Sequence, residues 1–343
     1  MKIGLVGYQG GGKSVLFELL TGTKADPARS HQGQSGIAVV PDERFDRLVA
    51  HYKPKKIVPA RIELFDTPGL SREHPEQNAS RLGVIREANA LVQVIGVYAG
   101  VDAKAEVDAF EADLILADLA VVTNRLERLK KDVAKPRPDR EELRAEADCL
   151  QPIFAKLEGG EPLFGMEFSE AQEKATKSFS LLTIKRRLVV LNTADSAFDP
   201  AVVAAIEAKG LRVLAAPVGL ELEVAQLAEE DRELFAQEMG LGEPARTRLL
   251  RMIFEVTDQI TFYTSGEKEV HAWLMKRDGT AVDAADAIHS DLARGFVRAE
   301  VWQVDDLLRL GSERELKAAG LNQLVGKEHI MKDGDEIFIR SGV

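Results

Sequence analysis

A glycine-rich stretch near the N-terminus constrains the fold more than any other part of this chain. Gly7 to Ser14 reads GYQGGGKS and fits the phosphate-binding pattern G-x-x-x-x-G-K-[ST]. The apolar run Ile3 to Val6 precedes it and predicts a buried strand, and Val15 to Leu20 predicts the start of a helix. A strand, a glycine turn and a helix N-terminus surround one anion with backbone N–H groups. The sequence therefore predicts a phosphate site on an α/β fold.

The side chains at the end of this stretch have separate predicted roles. Lys13 would reach the β- and γ-phosphates as a point charge, and the Ser14 hydroxyl would bind Mg²⁺. A glycine-rich hairpin without a ligand is the alternative, and the flanking strand and helix argue against it. We predict nucleotide contacts from most of the loop and from the first helical residues: Gly7, Gln9, Gly10, Gly11, Gly12, Lys13, Ser14 and Val15.

A second feature follows the next predicted strand of this region. The extended stretch Ile57 to Phe65 ends in Asp66-Thr67-Pro68-Gly69-Leu70, which matches the D-x-x-G arrangement of nucleotide switches. Asp66 would hold Mg²⁺ through a water molecule, and the Gly69 N–H would sense the γ-phosphate. An Asp-containing turn with Pro and Gly in favoured places is the alternative. The position after a phosphate loop favours the switch.

Leu70 limits the chemistry that this switch can perform. It occupies the position at which well-studied GTPases place the glutamine that orients the attacking water. A leucine side chain has no hydrogen-bonding group. We therefore identify no catalytic residue, and we expect hydrolysis to be slow or to depend on a group supplied from elsewhere.

A third feature follows the buried strand predicted at Leu188 to Leu191. Asn192-Thr193-Ala194-Asp195 is a reduced form of the guanine-reading motif N-K-x-D. Asn192 can tie the base loop to the phosphate loop, and the Asp195 carboxylate can accept hydrogen bonds from guanine N1–H and N2–H₂. Thr193 replaces the usual lysine, so one wall of the base pocket is missing. A polar strand-to-helix turn is the alternative, and the order of the motifs favours base recognition.

A helical hairpin interrupts the nucleotide domain between its strands. From Val101 to about Val133, apolar residues recur every three or four positions and predict one long helix. The stretch Lys135 to Pro138 ends it, and Asp139 would cap a returning helix. The tip, Arg125 to Arg140, carries seven Lys or Arg and three acidic residues. Two interpretations of the tip remain open: it is solvated, or it contacts RNA or another polyanion. Such a contact would use Lys130, Lys131, Lys135 and Arg137.

Composition excludes several classes of protein. A formal net charge of −11 argues against a general nucleic-acid or membrane binder, although a local basic patch is compatible with it. The one cysteine, Cys149, allows no internal disulfide framework, as expected in a reducing cytoplasm. No signal peptide is predicted, and no apolar run is long enough to span a bilayer. We expect a cytoplasmic protein that does not contact a membrane.

The 343 residues are too many for one ordinary core. We predict a P-loop nucleotide-binding domain over 1–100 and 183–257, an inserted helical hairpin over 101–182, and a small β-grasp domain over 258–343. Local signals predict individual elements within them. Asp42 would cap a helix from Glu43 to Tyr52, Ile57 to Phe65 would be one extended stretch, and Asp305 to Ala319 would be one helix.

Taken in order, these motifs resemble the YchF subfamily, the Obg-like ATPases, within the Obg group of P-loop GTPases. The resemblance runs nearly end to end and rests on the four features above. It also rests on C-terminal stretches that are similar to the TGS module. The telling stretches are 227–232, 268–273, 287–291, 295–299 and 332–335.

The resemblance implies a Ras-like nucleotide domain, a coiled-coil-like insertion and a terminal β-grasp. It also implies a cytoplasmic, Mg²⁺-dependent NTPase that associates with ribosomes, through the hairpin tip and the TGS-like domain. Family members carry a hydrophobic residue where the catalytic glutamine would be, and Leu70 conforms. They read an N-x-x-E base motif and favour ATP.

This chain departs from the family pattern at four places. The base motif ends in Asp195 instead of Glu, which favours guanine. The phosphate loop reads Gln9-Gly10-Gly11 where the family usually has P-N-V. The threonine that binds Mg²⁺ in the first switch is matched by Ser30, in dissimilar surroundings. The second switch is shortened after Leu70.

The leading hypothesis is a switch that binds and slowly hydrolyses GTP or ATP and is read by the ribosome. The alternative is a nucleotide-gated module that binds RNA or the ribosome with little intrinsic hydrolysis. A third hypothesis is an RNA-binding adaptor that works mainly through the basic hairpin tip.

Overall fold

The computed structural model describes residues 1–29 and 32–342. It divides into two units, each formed by two separate segments of the chain. One contains Met1–Gly36 and Glu63–Arg246, and the other contains Ile37–Ile62 and Thr247–Val343. The segment 37–62 therefore belongs with the C-terminal part of the chain. The division into 1–100 with 183–257, 101–182 and 258–343 stays a prediction.

The strands are β1 (Lys2–Val6), β2 (Gln34–Val39), β3 (Lys56–Val58), β4 (Arg61–Asp66), β5 (Ala90–Gly96), β6 (Arg187–Asn192), β7 (Arg212–Ala216), β8 (Gln259–Thr264), β9 (Glu269–Lys276), β10 (Phe296–Gln303), β11 (Gln323–Val325) and β12 (Asp335–Ser341). The helices are α1 (Lys13–Thr21), α2 (Glu43–Tyr52), α3 (Asn78–Ile85), α4 (Ala103–Val133), α5 (Arg140–Glu158), α6 (Glu170–Thr176), α7 (Pro200–Glu207), α8 (Val218–Gln226), α9 (Glu229–Glu238), α10 (Ala245–Val256), α11 (Ala281–Ile288), α12 (Ser290–Arg294), α13 (Val304–Leu310) and α14 (Glu313–Ala318). Within the described residues, no helix has the length and apolarity needed to cross a membrane.

A largely parallel sheet organises the N-terminal unit, with strand order β2-β4-β1-β5-β6-β7. Strand β1 pairs in parallel with β4 and with β5, and β6 pairs in parallel with β5 and with β7. Strands β5 and β6 are almost entirely buried, as expected where helices cover both faces of a parallel sheet. The carboxyl ends of β1, β4, β5 and β6 meet at one edge, which is where ligands bind in open α/β sheets.

The long helix α4 anchors the inserted hairpin through one buried carboxylate. Asp118 is fully buried and accepts hydrogen bonds from four donors. Arg86 Nη1 donates at 2.7 Å, the Leu182 N–H at 3.0 Å, and the Thr183 N–H and hydroxyl at 2.8 and 2.9 Å. Arg86 follows α3, and Leu182 and Thr183 precede β6. The network therefore joins α4 to the chain on both sides of the insertion.

The predicted extended stretch from Ile57 to Phe65 is wrong as a single element. The structure divides it into β3 and β4, which lie in different sheets. Pro59 lies between them and has no N–H to donate to a sheet ladder, so pairing stops there. Strand β3 pairs in parallel with β9, and β4 pairs with β1.

The C-terminal unit is built on a second sheet, with strand order β11-β10-β12-β8-β9-β3. One face of it packs on α11 around a core that includes Ile260, Phe262, Ala284, Val301 and Ile337. The predicted fold class is confirmed: a Ras-like α/β P-loop NTPase domain, an inserted antiparallel helical hairpin and a C-terminal β-grasp domain.

The predicted helix from Asp305 to Ala319 is also divided, into α13 and α14. Gly311 ends α13 with φ of 82°, a left-handed conformation that glycine adopts without a steric penalty. Ser312 then caps α14, because its hydroxyl accepts from the Glu315 N–H. A glycine followed by a serine thus restarts the helix in a new direction.

Two buried glutamates of the second sheet should give the C-terminal unit opposite responses to pH. Burial raises the pKa of Glu336 from 4.5 to about 7, while hydrogen bonds from Ser265 and Trp302 oppose the rise. Hydrogen bonds from Lys317 and Arg340 lower the pKa of Glu300. The stabilising effect of Glu336 is therefore complete below pH 4.5 and is lost as the pH rises through about 7. The effect of Glu300 is present at neutral pH and is lost on acidification.

We expect Glu336→Gln to stabilise the C-terminal unit by about 1–3 kcal/mol more at about pH 8 than at about pH 5. Glu300→Gln is the matched control and should destabilise it more at the higher pH. Both tryptophans, Trp273 and Trp302, lie in this unit, so fluorescence-detected urea unfolding reports on it. An equal effect of Glu336→Gln at the two pH values would contradict the expected protonation of that side chain.

Candidate nucleotide site

The glycine-rich loop lies between β1 and α1, as the sequence predicts. Gly7, Gly10 and Gly12 have φ of 123°, 80° and 92°, which side chains with a β-carbon rarely adopt. A β-carbon at Gly7 or Gly11 would also lie 2.7 or 2.5 Å from the Val94 carbonyl oxygen. The loop therefore needs glycine both for its turns and for its close approach to β5. Gly12 precedes α1 without a side-chain cap, which leaves N–H groups at the helix start for an anion.

Lys13 is buried at the first position of α1, with a side chain that bends back over the loop. Its Nζ donates to the Tyr8 carbonyl at 2.8 Å. Burial lowers the pKa of Lys13 to about 8, although Asp66 nearby acts in the opposite direction. A phosphate group would supply the counter-charge that this ammonium lacks. Val15, the third residue of the helix, is half-buried.

Ser14 and Asp66 form the pair that the sequence predicts for Mg²⁺. The Ser14 hydroxyl donates to Oδ2 of Asp66 at 2.6 Å. The other carboxylate oxygen, Oδ1, is buried and accepts no hydrogen bond from the residues that the structure describes. Burial raises the pKa of Asp66, while Ser14 and Lys13 oppose the rise. The predicted third ligand, Ser30, lies outside the described residues.

The oxygen atoms of this pair fit Mg²⁺. Mg²⁺ prefers hard oxygen ligands, and it is bound by one or two protein groups together with substrate phosphates and water. An orphaned buried carboxylate oxygen next to a hydroxyl supplies such a partial ligand set. Among the described residues no cluster of three His, Cys, Asp or Glu could hold a metal by itself. Nucleotide phosphates and water would supply further ligands.

The second switch is joined to the phosphate loop by a short parallel bridge between Tyr8 and Leu70. The Leu70 N–H donates to the Gly7 carbonyl at 3.0 Å, and the Gln9 N–H donates to the Leu70 carbonyl at 2.9 Å. A β-carbon on Gly69 would lie 2.6 Å from Lys13 Nζ. The switch glycine and the lysine therefore face the same small space, as the sequence predicts for two groups that contact one γ-phosphate.

Two arginines that were not predicted from the sequence contact this switch. Arg81 is buried in α3 and donates from Nη1 to the Gly69 carbonyl at 2.6 Å. Arg72 bonds to the buried Glu106 carboxylate and lies 4.6 Å from the centre of the Tyr8 ring. Both orient the backbone or an aromatic ring of the site. No motif marks them, because a carbonyl oxygen can be reached by an arginine from many sequence positions.

Asn192 connects the base motif to the phosphate loop. Its side-chain Nδ2 donates to the Gly11 carbonyl at 3.3 Å, and its Oδ1 accepts from the Val218 N–H at 3.2 Å. A β-carbon at Gly12 would lie 2.2 Å from the same Nδ2, which adds a second reason for glycine there. The predicted link between the two loops is present in the structure.

Thr193 and Asp195 shape the loop beyond this link. The Thr193 hydroxyl donates to the Asp195 carbonyl at 2.6 Å, and Asp195 Oδ1 accepts from the Ala197 N–H at 2.8 Å. The Asp195 side chain is exposed and lines a cavity of about 300 Å³ with Tyr98 and Phe198. The Tyr98 hydroxyl also donates to the carbonyl of Gly10 in the phosphate loop. No sequence motif marks Tyr98.

The hairpin tip is far along α4 from the phosphate loop, and all four of its predicted contact residues are exposed. Two of them are already paired with carboxylates. Lys135 Nζ lies 3.0 Å from Asp132, and Arg137 Nη2 lies 2.8 Å from Asp139. Lys130 and Lys131 have no ion pair within the part of the chain that the structure describes. These two lysines are the available positive charges of the predicted set.

Comparisons with known proteins agree with this geometry. Residues 2–125 match the family described as 50S ribosome-binding GTPase, and residues 259–341 match YchF-GTPase_C, described as a protein of unknown function. The chain is 32% identical to a protein of Bacillus subtilis named Ribosome-binding ATPase YchF, over 99% of each chain. It is 29% identical to Obg-like ATPase 1 of Oryza sativa subsp. japonica, over 100% of this chain and 92% of that protein.

The fold has a counterpart among solved structures. The Schizosaccharomyces pombe YchF GTPase aligns with a TM-score of 0.81 over 99% of this chain and 97% of that chain. The sequence identity in this alignment is 24%, so the likeness concerns the fold.

Proposed function

Because this chain belongs to the YchF family, we propose that it is a Mg²⁺-dependent nucleoside triphosphatase that acts as a nucleotide-gated switch on the ribosome. The observation that carries the proposal is the Ser14–Asp66 pair, whose Oδ1 is buried without a hydrogen-bond partner among the described residues, together with the buried ammonium of Lys13. A desolvated ammonium and a buried oxygen without a hydrogen-bond partner are each costly in a site with no ligand. A Mg²⁺–nucleotide complex would satisfy both.

Each group of the site has a role in holding the triphosphate. Ser14 and Asp66 would hold Mg²⁺, which neutralises negative charge on the phosphates when bound. Lys13 would exchange the Tyr8 carbonyl for β- and γ-phosphate oxygens, and the Gly69 N–H would bind the γ-phosphate. Asn192 keeps the loop and the base motif in register. Hydrolysis would remove the partner of Gly69 and release the second switch.

We propose that both ATP and GTP bind. The relatives are named ATPases, which supports adenine, and the exposed Asp195 carboxylate can accept from guanine N1–H and N2–H₂. Thr193 leaves the base pocket without the lysine wall that strengthens guanine selection. The proposed setting is the cytoplasm, in keeping with ribosome-binding relatives.

We further propose that the hairpin tip contacts ribosomal RNA and that the TGS-like domain contributes a second surface. Lys130 and Lys131 support the first part, because they are exposed and are not neutralised by a described carboxylate. Phosphate contacts of this kind give an affinity that falls steeply with salt.

Reversing both charges tests this part of the proposal. Lys130→Glu with Lys131→Glu should lower co-sedimentation with ribosomes by about tenfold at low salt, since two phosphate contacts are lost. The protein would be loaded with a non-hydrolysable Mg²⁺–nucleotide analogue. Lys174→Glu with Lys177→Glu, at exposed positions near α6, is the matched control and should bind as the wild type does. Equal binding by the tip variant and the wild type would contradict the assignment.

A second candidate function is a nucleotide-gated binding module with little intrinsic hydrolysis. The complete burial of Leu70 favours it, because the position that usually supplies the water-orienting glutamine faces the core. A single-turnover assay separates the two functions. The module would bind ribosomes in a nucleotide-dependent manner and release no phosphate during the lifetime of the complex.

A further inference from the structure

Leu70 does not supply a water-orienting group, and the packing around it keeps it from turning toward a bound phosphate. Its side chain is fully buried in a cluster with Tyr8, Leu82 and Phe110. Its N–H and its carbonyl are both bonded to the phosphate loop. Turning this residue toward a phosphate would open the core and break both bonds. A group that orients water must therefore come from another position.

Gln9 is a polar residue of the phosphate loop whose backbone lies next to Gly69. A β-carbon on Gly69 would lie 2.9 Å from the backbone nitrogen of Gln9 and 3.0 Å from its Cα. The same point is 2.6 Å from Lys13 Nζ. Gln9 therefore leaves the phosphate loop beside the two groups that would bind the γ-phosphate. Its backbone is held there by the N–H bond to the Leu70 carbonyl.

The Gln9 amide is also uncommitted. The side chain is exposed, and it makes no hydrogen bond to any residue in the ranges 1–29 and 32–342. The neighbouring polar groups are engaged: Arg72 bonds to Glu106, Arg81 bonds to the Gly69 carbonyl, and the Tyr8 hydroxyl bonds to Asp113 at 2.8 Å. A primary amide carries both an acceptor and two donors, which is what water orientation beside a phosphate requires.

We propose that Gln9 is the catalytic residue that orients the attacking water. From the phosphate loop, it supplies the amide group that a glutamine at position 70 would otherwise provide. This inference rests on the proposed function. In the transition state the amide oxygen accepts a hydrogen bond from the water, and the amide N–H₂ donates to a γ-phosphate oxygen. The water oxygen bonds to the γ-phosphorus, the bond to the β–γ bridging oxygen breaks, and the products are nucleoside diphosphate, inorganic phosphate and one proton.

Single-turnover phosphate release from Mg²⁺–ATP and Mg²⁺–GTP tests the proposal. Gln9→Ala should lower the rate about tenfold or more for both nucleotides, as expected when a positioned transition-state group is removed. The affinity for a non-hydrolysable triphosphate analogue should change by less than about twofold. Gln323→Ala, on β11 and exposed, is the control and should match the wild type.

Binding of aluminium fluoride gives a readout that a structural role would not change. Nucleoside diphosphate with aluminium fluoride imitates the transition state, so Gln9→Ala should weaken this complex and leave binding of the diphosphate alone unaltered. Hydrolysis by Gln9→Ala at the wild-type rate, or faster, would overturn the inference. If the wild-type protein itself releases no phosphate, the proposed function fails instead, so the two failures are distinguishable.

Discussion

Replacing Lys13 with alanine is expected to weaken binding of Mg²⁺–ATP and Mg²⁺–GTP about 100-fold and to abolish measurable hydrolysis. The ammonium is buried and its pKa is lowered to about 8, so a bound phosphate restores favourable charge to a group that the fold has desolvated. A charge-assisted hydrogen bond to phosphate in such a place contributes about 2–3 kcal/mol, which corresponds to this loss of affinity. Fluorescent nucleotide titration measures it.

The control for this experiment is Lys131→Ala at the hairpin tip, which should leave nucleotide affinity unchanged. Circular dichroism should show that Lys13→Ala is folded, since the lysine donates only to the Tyr8 carbonyl among the described residues. Unchanged nucleotide affinity in Lys13→Ala would mean that nucleotides do not bind at the glycine-rich loop.

Replacing Asp118 with alanine is expected to destabilise the N-terminal unit by about 3–5 kcal/mol, the range found when one partner of a buried ion pair is removed. The fully buried carboxylate accepts from Arg86, Leu182 and Thr183, and the substitution leaves the cation without its counter-charge and two backbone N–H groups without an acceptor. Hydrogen exchange of the Leu182 and Thr183 amides measures the effect directly. Both should exchange much faster than in the wild type.

Asp108→Ala is the matched control on the same helix. Asp108 pairs with Lys209, and its side chain is 59% exposed, so its loss should cost less than about 1 kcal/mol. Asp118→Asn keeps one acceptor oxygen and should fall between the two. Equal protection of the two amides in Asp118→Ala and the wild type would show that this network does not hold the insertion.

The nucleotide motifs could be predicted because they are local. Gly7 to Ser14 is continuous in sequence. Each of its glycines has a positive φ or lies where a β-carbon would clash with a neighbouring backbone atom. Asp66 and Asn192 are the last residues of strands whose carboxyl ends meet at one edge, so the order of strands was enough to bring them to the loop. Asp42 caps α2 as predicted, through bonds from the N–H groups of Arg44 and Phe45.

The parts that sequence did not predict depend on distant partners. Asp118 is one of many acids on α4, and only the packed structure shows that it meets Arg86 and the chain that leads into β6. Arg81 acts on a backbone carbonyl, which carries no sequence signature. Pro59 stops one strand and starts another in a different sheet, although the apolar pattern runs through it.

The structure shows a packing role for Leu70 that the sequence does not indicate. In the sequence it marks only a missing glutamine. In the structure it is a buried contact that joins the second switch to the loop, and it holds Gln9 through a backbone hydrogen bond.

Release of inorganic phosphate by the wild-type protein, with ATP and with GTP, tests the proposed function most directly. The measurement would be made with and without Mg²⁺ and with and without ribosomes. We expect slow release that requires Mg²⁺, is faster with ribosomes, and is absent in Lys13→Ala. Absence of release from both nucleotides in all of these conditions would contradict the assignment of this chain as a nucleoside triphosphatase.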